Sequence, residues 1–272
     1  MLSFLSKILF GGDKGFMTCI IAVANQKGGV GKTTTTINLG AALAEQGRKI
    51  LLIDMDPQGA LSIGLGINSY DMDETLYNVL VDSRLNLSDV IYTVKPNLEV
   101  VPANIDLAAA EVELVSAIAR EYILKDALAS VQGVYHYILI DCSPSLGFLT
   151  INALTAAHKV LIPLQCEYLA LRGMRVLLET IEKVKAKLNP QLEIMGVLGT
   201  MYNTRTLHAR EVLAEIRSVL GDKVYDIVIK SSIRFAEAPV VHQPILDYDP
   251  KHEGAMAYRK LAEVIINGEE KS

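Results

Sequence analysis

Cysteine is scarce in this chain: Cys19, Cys142 and Cys166 are its three thiols, no two of them form a CxxC pair, and their odd number leaves one unmatched. That suits a reducing cytoplasm better than a secreted disulfide framework. No run approaches the roughly 20 apolar residues of a membrane span, because Lys7, Gly11 and Gly12 interrupt the apolar N-terminus. A soluble protein is expected. An excess of positive charge is missing too: 26 Lys and Arg face 31 Asp and Glu, for a formal net charge of -5. This argues against a constitutive nucleic-acid binder, whose affinity would come from a strongly basic face, so any DNA binding must be local. Low-complexity tracts and repeats of fixed period are also lacking. What remains is a chain of 272 residues, 50% of them hydrophobic, ample for one compact core and short for two full-sized domains.

The order of elements points to one fold class. Thr18 to Ala24 reads as a buried strand, Thr33 to Glu45 carries the apolar spacing of an amphipathic helix, and Lys49 to Ile53 is a second strand. The segment Asp54 to Asn68, rich in Gly, Pro and Asn, is expected to be irregular and mobile rather than an element. Short β-rich runs follow at Leu98–Val101, Tyr137–Ile140, Val160–Ile162, Ile194–Gly199 and Val224–Ile229, separated by helical stretches such as Ala170–Leu188 and Leu207–Leu220, with a last helix near Gly254–Ile266. Such alternation implies an α/β fold, a mostly parallel twisted sheet with helices on both faces. Ligands then sit at the carboxyl ends of the strands, and loops starting at Asn25, Asp54, Asp141, Pro163 and Tyr202 should converge on one crevice.

The strongest motif runs from Asn25 to Thr34, NQKGGVGKTT, between the first strand and the first helix. Glycines let a backbone fold around phosphate without Cβ clashes, while successive N–H groups and the positive helix end bind the anion. Gly28, Gly29, Val30, Gly31 and Thr34 are the cradle, Lys32 reaches the β- and γ-phosphates, and the Thr33 hydroxyl ligates Mg²⁺. Gln26 occupies the usual first glycine position, and a second lysine, Lys27, follows it. A lysine there is better placed to reach outward across a dimer interface than to hold its own nucleotide.

KGGVGKT, Lys27 to Thr33, resembles the hallmark of the ParA/MinD group, the deviant Walker A P-loop ATPases. The resemblance runs from Met17 onward and implies a single ATPase domain over 17–272, with 1–16 as an N-terminal extension. It further implies that Lys27 acts in trans on the partner's nucleotide, that Asp56 aligns the attacking water, and that Asp54 lies near the metal shell. Asp141 ends an apolar run in the Walker B manner and would hold a water on Mg²⁺. For all three acids the alternative is a turn or helix cap. Pro163 to Tyr168 and Arg234 to Pro239 look like the short chromosomal ParA type. The acidic C-terminal residues lack the amphipathic membrane helix of MinD relatives, and Cys142 and Cys166 lack the spacing of the nitrogenase iron-protein branch.

Two further site assignments follow from the resemblance. Asn203 is expected to contact adenine, with a turn-forming role as the alternative. Arg205 and Arg234, with Lys230, are expected to hold DNA phosphates without reading sequence. The segment from Arg205 to Arg234 holds six basic residues against four acidic ones, and Lys230-Ser231 stands where relatives often have Pro-Arg. The implied whole is a weak ATPase with ATP and Mg²⁺ as cofactors. It would dimerise with ATP, bind nonspecific duplex DNA on the nucleoid, and partition chromosomes or plasmids with a ParB-like adaptor. Alternatives are another cargo on the same ATPase, or a metabolic P-loop enzyme. In the extension, Leu2, Leu5, Ile8 and Leu9 share one helical face, so residues 2–10 read as a membrane-surface anchor, a partner-binding helix, a frayed tail, or sequence before a true start at Met17.

Overall fold

The computed structural model describes residues 17–82, 84–167, 170–203 and 207–269. The extension 1–16 and Arg205, with the expectations attached to them, lie outside the described residues. The chain runs β1 (Cys19–Val23), α1 (Lys32–Glu45), β2 (Ile50–Met55), α2 (Ala60–Gly64), α3 (Leu76–Val81), β3 (Tyr92–Lys95), β4 (Leu98–Val101), α4 (Leu107–Glu113) and α5 (Ile123–Leu128). It continues with β5 (Tyr137–Cys142), α6 (Phe148–Ala156), β6 (Lys159–Gln165), α7 (Ala170–Lys187), β7 (Glu193–Tyr202), α8 (Leu207–Leu220), β8 (Val224–Lys230), α9 (Arg234–Glu237), α10 (Ile245–Tyr248) and α11 (Glu253–Glu269).

Among the described residues the strands form one sheet in the order β3-β4-β2-β5-β1-β6-β7-β8. Every neighbouring pair is parallel except the edge hairpin β3–β4. Strand β3 was not expected: its YTVK sequence is only half-buried, so it carries no alternating apolar signal. The inner strands are apolar on both sides because both faces are covered. Ile20, Ala22, Leu51, Ile53, Ile138 and Ile140 pack under α3 to α8, while Ile21, Val23, Leu52 and Leu139 pack under α1, α10 and α11. On the α1 side contact is close: a Cβ placed on Gly40 would lie 2.7 Å from a methyl of Leu52.

The first strand is the pivot. From β1 the chain crosses to β2 on one side, and after β5 it crosses back to β6 on the other. Connections leaving in opposite directions open a crevice at the carboxyl ends of the central strands. Strands β1, β2, β5, β6 and β7 run parallel and so end at that edge, although Asp54, Asp141, Pro163 and Tyr202, expected to begin loops, lie inside their strands.

At the opposite edge two imidazoles terminate strands as acceptors. The Lys49 amide donates to Nδ1 of His136 at 2.9 Å, and the Ile20 amide donates to Nδ1 of His158 at 3.0 Å. Burial, with Arg48 nearby, holds His136 below the ordinary histidine value of 6.5. A histidine depressed in the folded state contributes stability that is complete above its unfolded pKa and is lost as pH falls through the folded one. The difference in melting temperature between the wild type and His136→Asn should therefore shrink as pH drops from about 7.5 to about 5.5; a difference independent of pH would contradict the assignment.

Candidate functional site

The loop between β1 and α1 is held from β6 and from β7. Asn25 bridges it to β6, its Nδ2 donating to the Pro163 carbonyl at 2.7 Å and its Oδ1 accepting from the Lys27 amide at 3.0 Å. Paired registers between β1 and β6 end at Val23 and Leu161, so Pro163, which has no N–H, sits where only a carbonyl is used. From β7, the Thr200 hydroxyl donates to the Val30 carbonyl at 2.7 Å. Gly29 and Gly31 adopt φ of 72° and 86°, left-handed values natural to glycine. Gly31 precedes α1, whose first turn contains no acid, so its amino end stays open to an anion.

The two lysines of the loop have separate destinations. Lys32 is 7% exposed and its Nζ donates to the Lys27 carbonyl at 3.3 Å. Burial lowers its pKa, and the carboxylates of Asp141 and Asp56 oppose that shift. Lys27 is half-exposed and turns away, its Nζ donating to Gln165 Oε1 at 3.0 Å and to Glu167 Oε2 at 2.6 Å.

Parallel register places Asp54 of β2 opposite Asp141 of β5, so two carboxylates end adjacent strands side by side, both fully buried. Burial, then the charge of Asp54, raises Asp141 well above the usual carboxylate range, while a hydrogen bond from Thr33 and the charge of Lys32 pull it down. Thr36 also donates to Asp141 Oδ1, at 3.4 Å, and Oδ2 is buried without a partner. A hydroxyl beside a carboxylate with an unused oxygen is a hard donor set suited to Mg²⁺.

Asp54 is occupied differently. Its Oδ2 accepts from the Ser62 amide at 2.9 Å and the Ser62 hydroxyl at 2.6 Å, and its Oδ1 from the Asp56 amide at 3.3 Å. Burial still raises its pKa to about 7. These bonds correct the expectation of an irregular, mobile segment over Asp54 to Asn68: residues 54 and 55 continue β2, and Asp54 organises the turn leading to α2. The Ser62 hydroxyl in turn accepts from the Ala103 amide at 3.1 Å, tying the segment to the end of β4. Asp56 is left on the rim, its Oδ1 accepting from the Gln58 amide at 3.0 Å.

Beside Gly31 and Thr34 lies a cleft of about 460 Å³, mostly apolar, walled by Met201, Ile233, Phe235 and Tyr258. Asn203 lies one residue beyond β7 and is exposed, and Met201, not Asn203, lines the cleft. A larger apolar groove of about 620 Å³ between α7 and α8 is lined by no residue of the phosphate loop. Both described basic residues expected to hold DNA are ion-paired: Arg234 with Glu237 at 2.8 Å and Lys230 with Glu253 at 2.7 Å. The roles of Asn25, Ser62, Gln165, Glu167 and Thr200 escaped the sequence reading, because each makes a contact to a segment far away in the chain.

The Ser62 links give a direct test of this arrangement. Ser62→Ala should lower stability by about 1–3 kcal/mol, since Asp54 loses a donor and the buried Ala103 amide loses its acceptor. Urea unfolding checks this, and an unchanged midpoint would remove Ser62 from the network.

Known proteins place this site in a lineage. Residues 18–194 match the family model described as AAA domain. The chain is 50% identical over 252 residues to the chromosome partitioning protein ParA of Caulobacter vibrioides, covering 92% of this chain and 94% of that one. It is 51% identical over 250 residues to the sporulation initiation inhibitor protein Soj of Bacillus subtilis, covering 92% and 99%. The structure of cobyrinic acid a,c-diamide synthase from Mycobacterium smegmatis with bound ATP analogue and magnesium superposes with a TM-score of 0.79 at 42% identity, covering 93% of this chain and 96% of that one. With relatives this similar along nearly its whole length, and with the lysine-flanked glycine loop at its centre, the chain belongs to the ParA-like family of P-loop ATPases.

Proposed function

We propose that this protein hydrolyses ATP with Mg²⁺, closes into a dimer on ATP, and in that form binds nonspecific duplex DNA in the cytoplasm, moving chromosomal, plasmid or comparable cargo with a ParB-like adaptor. The observation that carries the reading is the divergence of two lysines in one loop: Lys32 buried within the phosphate cradle and Lys27 turned outward to Gln165 and Glu167. Within one protomer the second pairs with Gln165 and Glu167, and a dimer would give it a nucleotide to act on. In the proposed dimer, Lys27 exchanges its carboxylate for a phosphate of the partner's nucleotide. The exchange costs little, because a half-exposed ion pair contributes little.

In the proposed reaction the amides from Gly28 to Thr34 and the Lys32 ammonium bind the phosphates, while the apolar cleft beside Gly31 takes the base. Thr33 and Asp141, the latter through a water, would hold Mg²⁺, which when bound neutralises charge on the β- and γ-phosphate oxygens. Asp56, on the rim with Asp54 and Ser62 behind it, orients the attacking water. Asp54 holds this loop in place, and any influence it has on the metal passes through neighbouring groups. Catalysis is then positioning plus charge, with little covalent work for the protein.

DNA binding by a chain of net charge -5 needs a local patch. Lys230 is paired with Glu253, and Arg234 with Glu237 and, at 3.9 Å, with Asp249, all partly exposed carboxylates, and such pairs yield readily to a polyanion. Dimerisation would set two patches side by side and so make DNA binding depend on ATP.

The deciding experiment measures ATP hydrolysis with and without duplex DNA and a candidate adaptor; a rate that responds to neither, and rises only with a small-molecule substrate, would favour a metabolic ATPase instead. Lys27→Gln should leave nucleotide binding near normal, abolish ATP-dependent dimerisation in gel filtration, and lower adaptor-stimulated hydrolysis by on the order of 10³-fold. Asp56→Ala should accumulate an ATP-bound dimer with hydrolysis near background, and wild-type turnover in that variant would exclude its role. Arg234→Glu should weaken retention on DNA at low salt about tenfold or more while DNA-free hydrolysis is unchanged; equal retention would move the DNA face elsewhere.

A further inference from the structure

We infer that Thr200 is a positioning residue that locks one peptide plane of the phosphate loop, the inference resting on the nucleotide reading of that loop. The Thr200 side chain is 3% exposed, and its hydroxyl donates to the carbonyl of Val30 at 2.7 Å. In a trans peptide the carbonyl and the following N–H point in opposite directions. Fixing the Val30 carbonyl toward β7 therefore aims the Gly31 N–H the other way, away from β7 and toward the anion side of the loop.

A lock is needed because Gly31 offers no resistance of its own. At φ 86° it has no Cβ to disfavour the alternative plane, so the Val30–Gly31 peptide could turn over at small cost. The glycine that lets the loop curl around phosphate also leaves one of its donors free to face the wrong way. Thr200 selects the productive orientation from a different strand, and the chain there is shaped for the purpose. Directly after Thr200, Met201 takes a left-handed conformation, φ 48°, which a side-chain-bearing residue holds only where its surroundings dictate it. At this point of β7 the Thr200 hydroxyl reaches the phosphate loop while Thr200 and Met201 both line the apolar cleft beside it, so the two halves of a nucleotide site meet at one corner.

The test compares Thr200→Val, which keeps the shape and removes the donor, with Thr200→Ser, which keeps the donor, in the full chain. Calorimetry with Mg²⁺ measures ATP and inorganic tripolyphosphate, a ligand without a base. Thr200→Val should weaken both by a similar factor of about tenfold, with KM for ATP rising and kcat nearly unchanged, and Thr200→Ser should restore affinity. Exchange broadening of the Gly31 amide in ligand-free NMR spectra should appear in Thr200→Val and be absent from wild type and Thr200→Ser. Tripolyphosphate binding at wild-type strength in Thr200→Val would overturn the inference. So would loss of ATP binding alone, which would place the effect in the apolar cleft. A wild-type chain that binds neither ligand would refute the nucleotide reading and this inference's consequence for binding, while the Gly31 amide still decides whether the lock exists: exchange confined to Thr200→Val upholds it, and equal behaviour in all three proteins rejects it.

Discussion

A buried ammonium beside buried carboxylates is the constraint around which the rest is arranged. Taking Lys32, Asp54 and Asp141 out of water disfavours the charged form of each, which is why the lysine is lowered and both acids are raised. Coulombic attraction between Lys32 and Asp141 works against that tendency, and the hydroxyls of Thr33, Thr36 and Ser62 supply the hydrogen bonds that water would otherwise provide. Parallel register makes the cluster unavoidable. Once β2 and β5 pair with Asp54 opposite Asp141, both carboxylates must end on the same side of the sheet, next to the loop that β1 delivers.

Much of this was legible from the sequence, and the reason is locality. The glycine loop is contiguous, so strand, motif and helix could be read together from Thr18 to Glu45. Strands buried on both faces announce themselves as unbroken apolar runs, as at Tyr137 to Ile140. What stayed hidden lies between distant segments. Thr200 acts on Val30, Glu167 on Lys27, and Ser62 on Ala103, and none of these partners is marked by a pattern in its own neighbourhood. The stretch after β2 looked like a loop because α2 is a single turn, too short to repeat its buried Leu61–Leu65 spacing, and the Asp54 carboxylate that holds it lies outside it. Strand β3 was missed for the converse reason: it sits at an edge, where half-buried residues need no periodicity.

The basic residues show how composition and geometry divide the labour. The sequence supplied six cations between Arg205 and Arg234, and geometry assigned acids to several of them: Glu237 to Arg234, Glu253 to Lys230 and Asp226 to Arg217. A surface built this way is nearly neutral to a distant polyanion and can turn cationic at contact, since each acid sits on a side chain able to swing away. Counting charges along the chain cannot reveal that arrangement.

The close fit of Gly40 under Leu52 bears on which parts of the molecule can move. Helix α1 is buried along nearly its whole length, and its backbone approaches the sheet so nearly that even one methylene would collide. Sliding or rotating it would mean repacking β2 and β5 beneath it, so α1 and the first lysine-bearing turn form a stationary platform. A signal raised by a change of ligand therefore passes more readily through the turn after β2, whose ties through Asp54 and Ser62 are polar contacts that side-chain rotation can release.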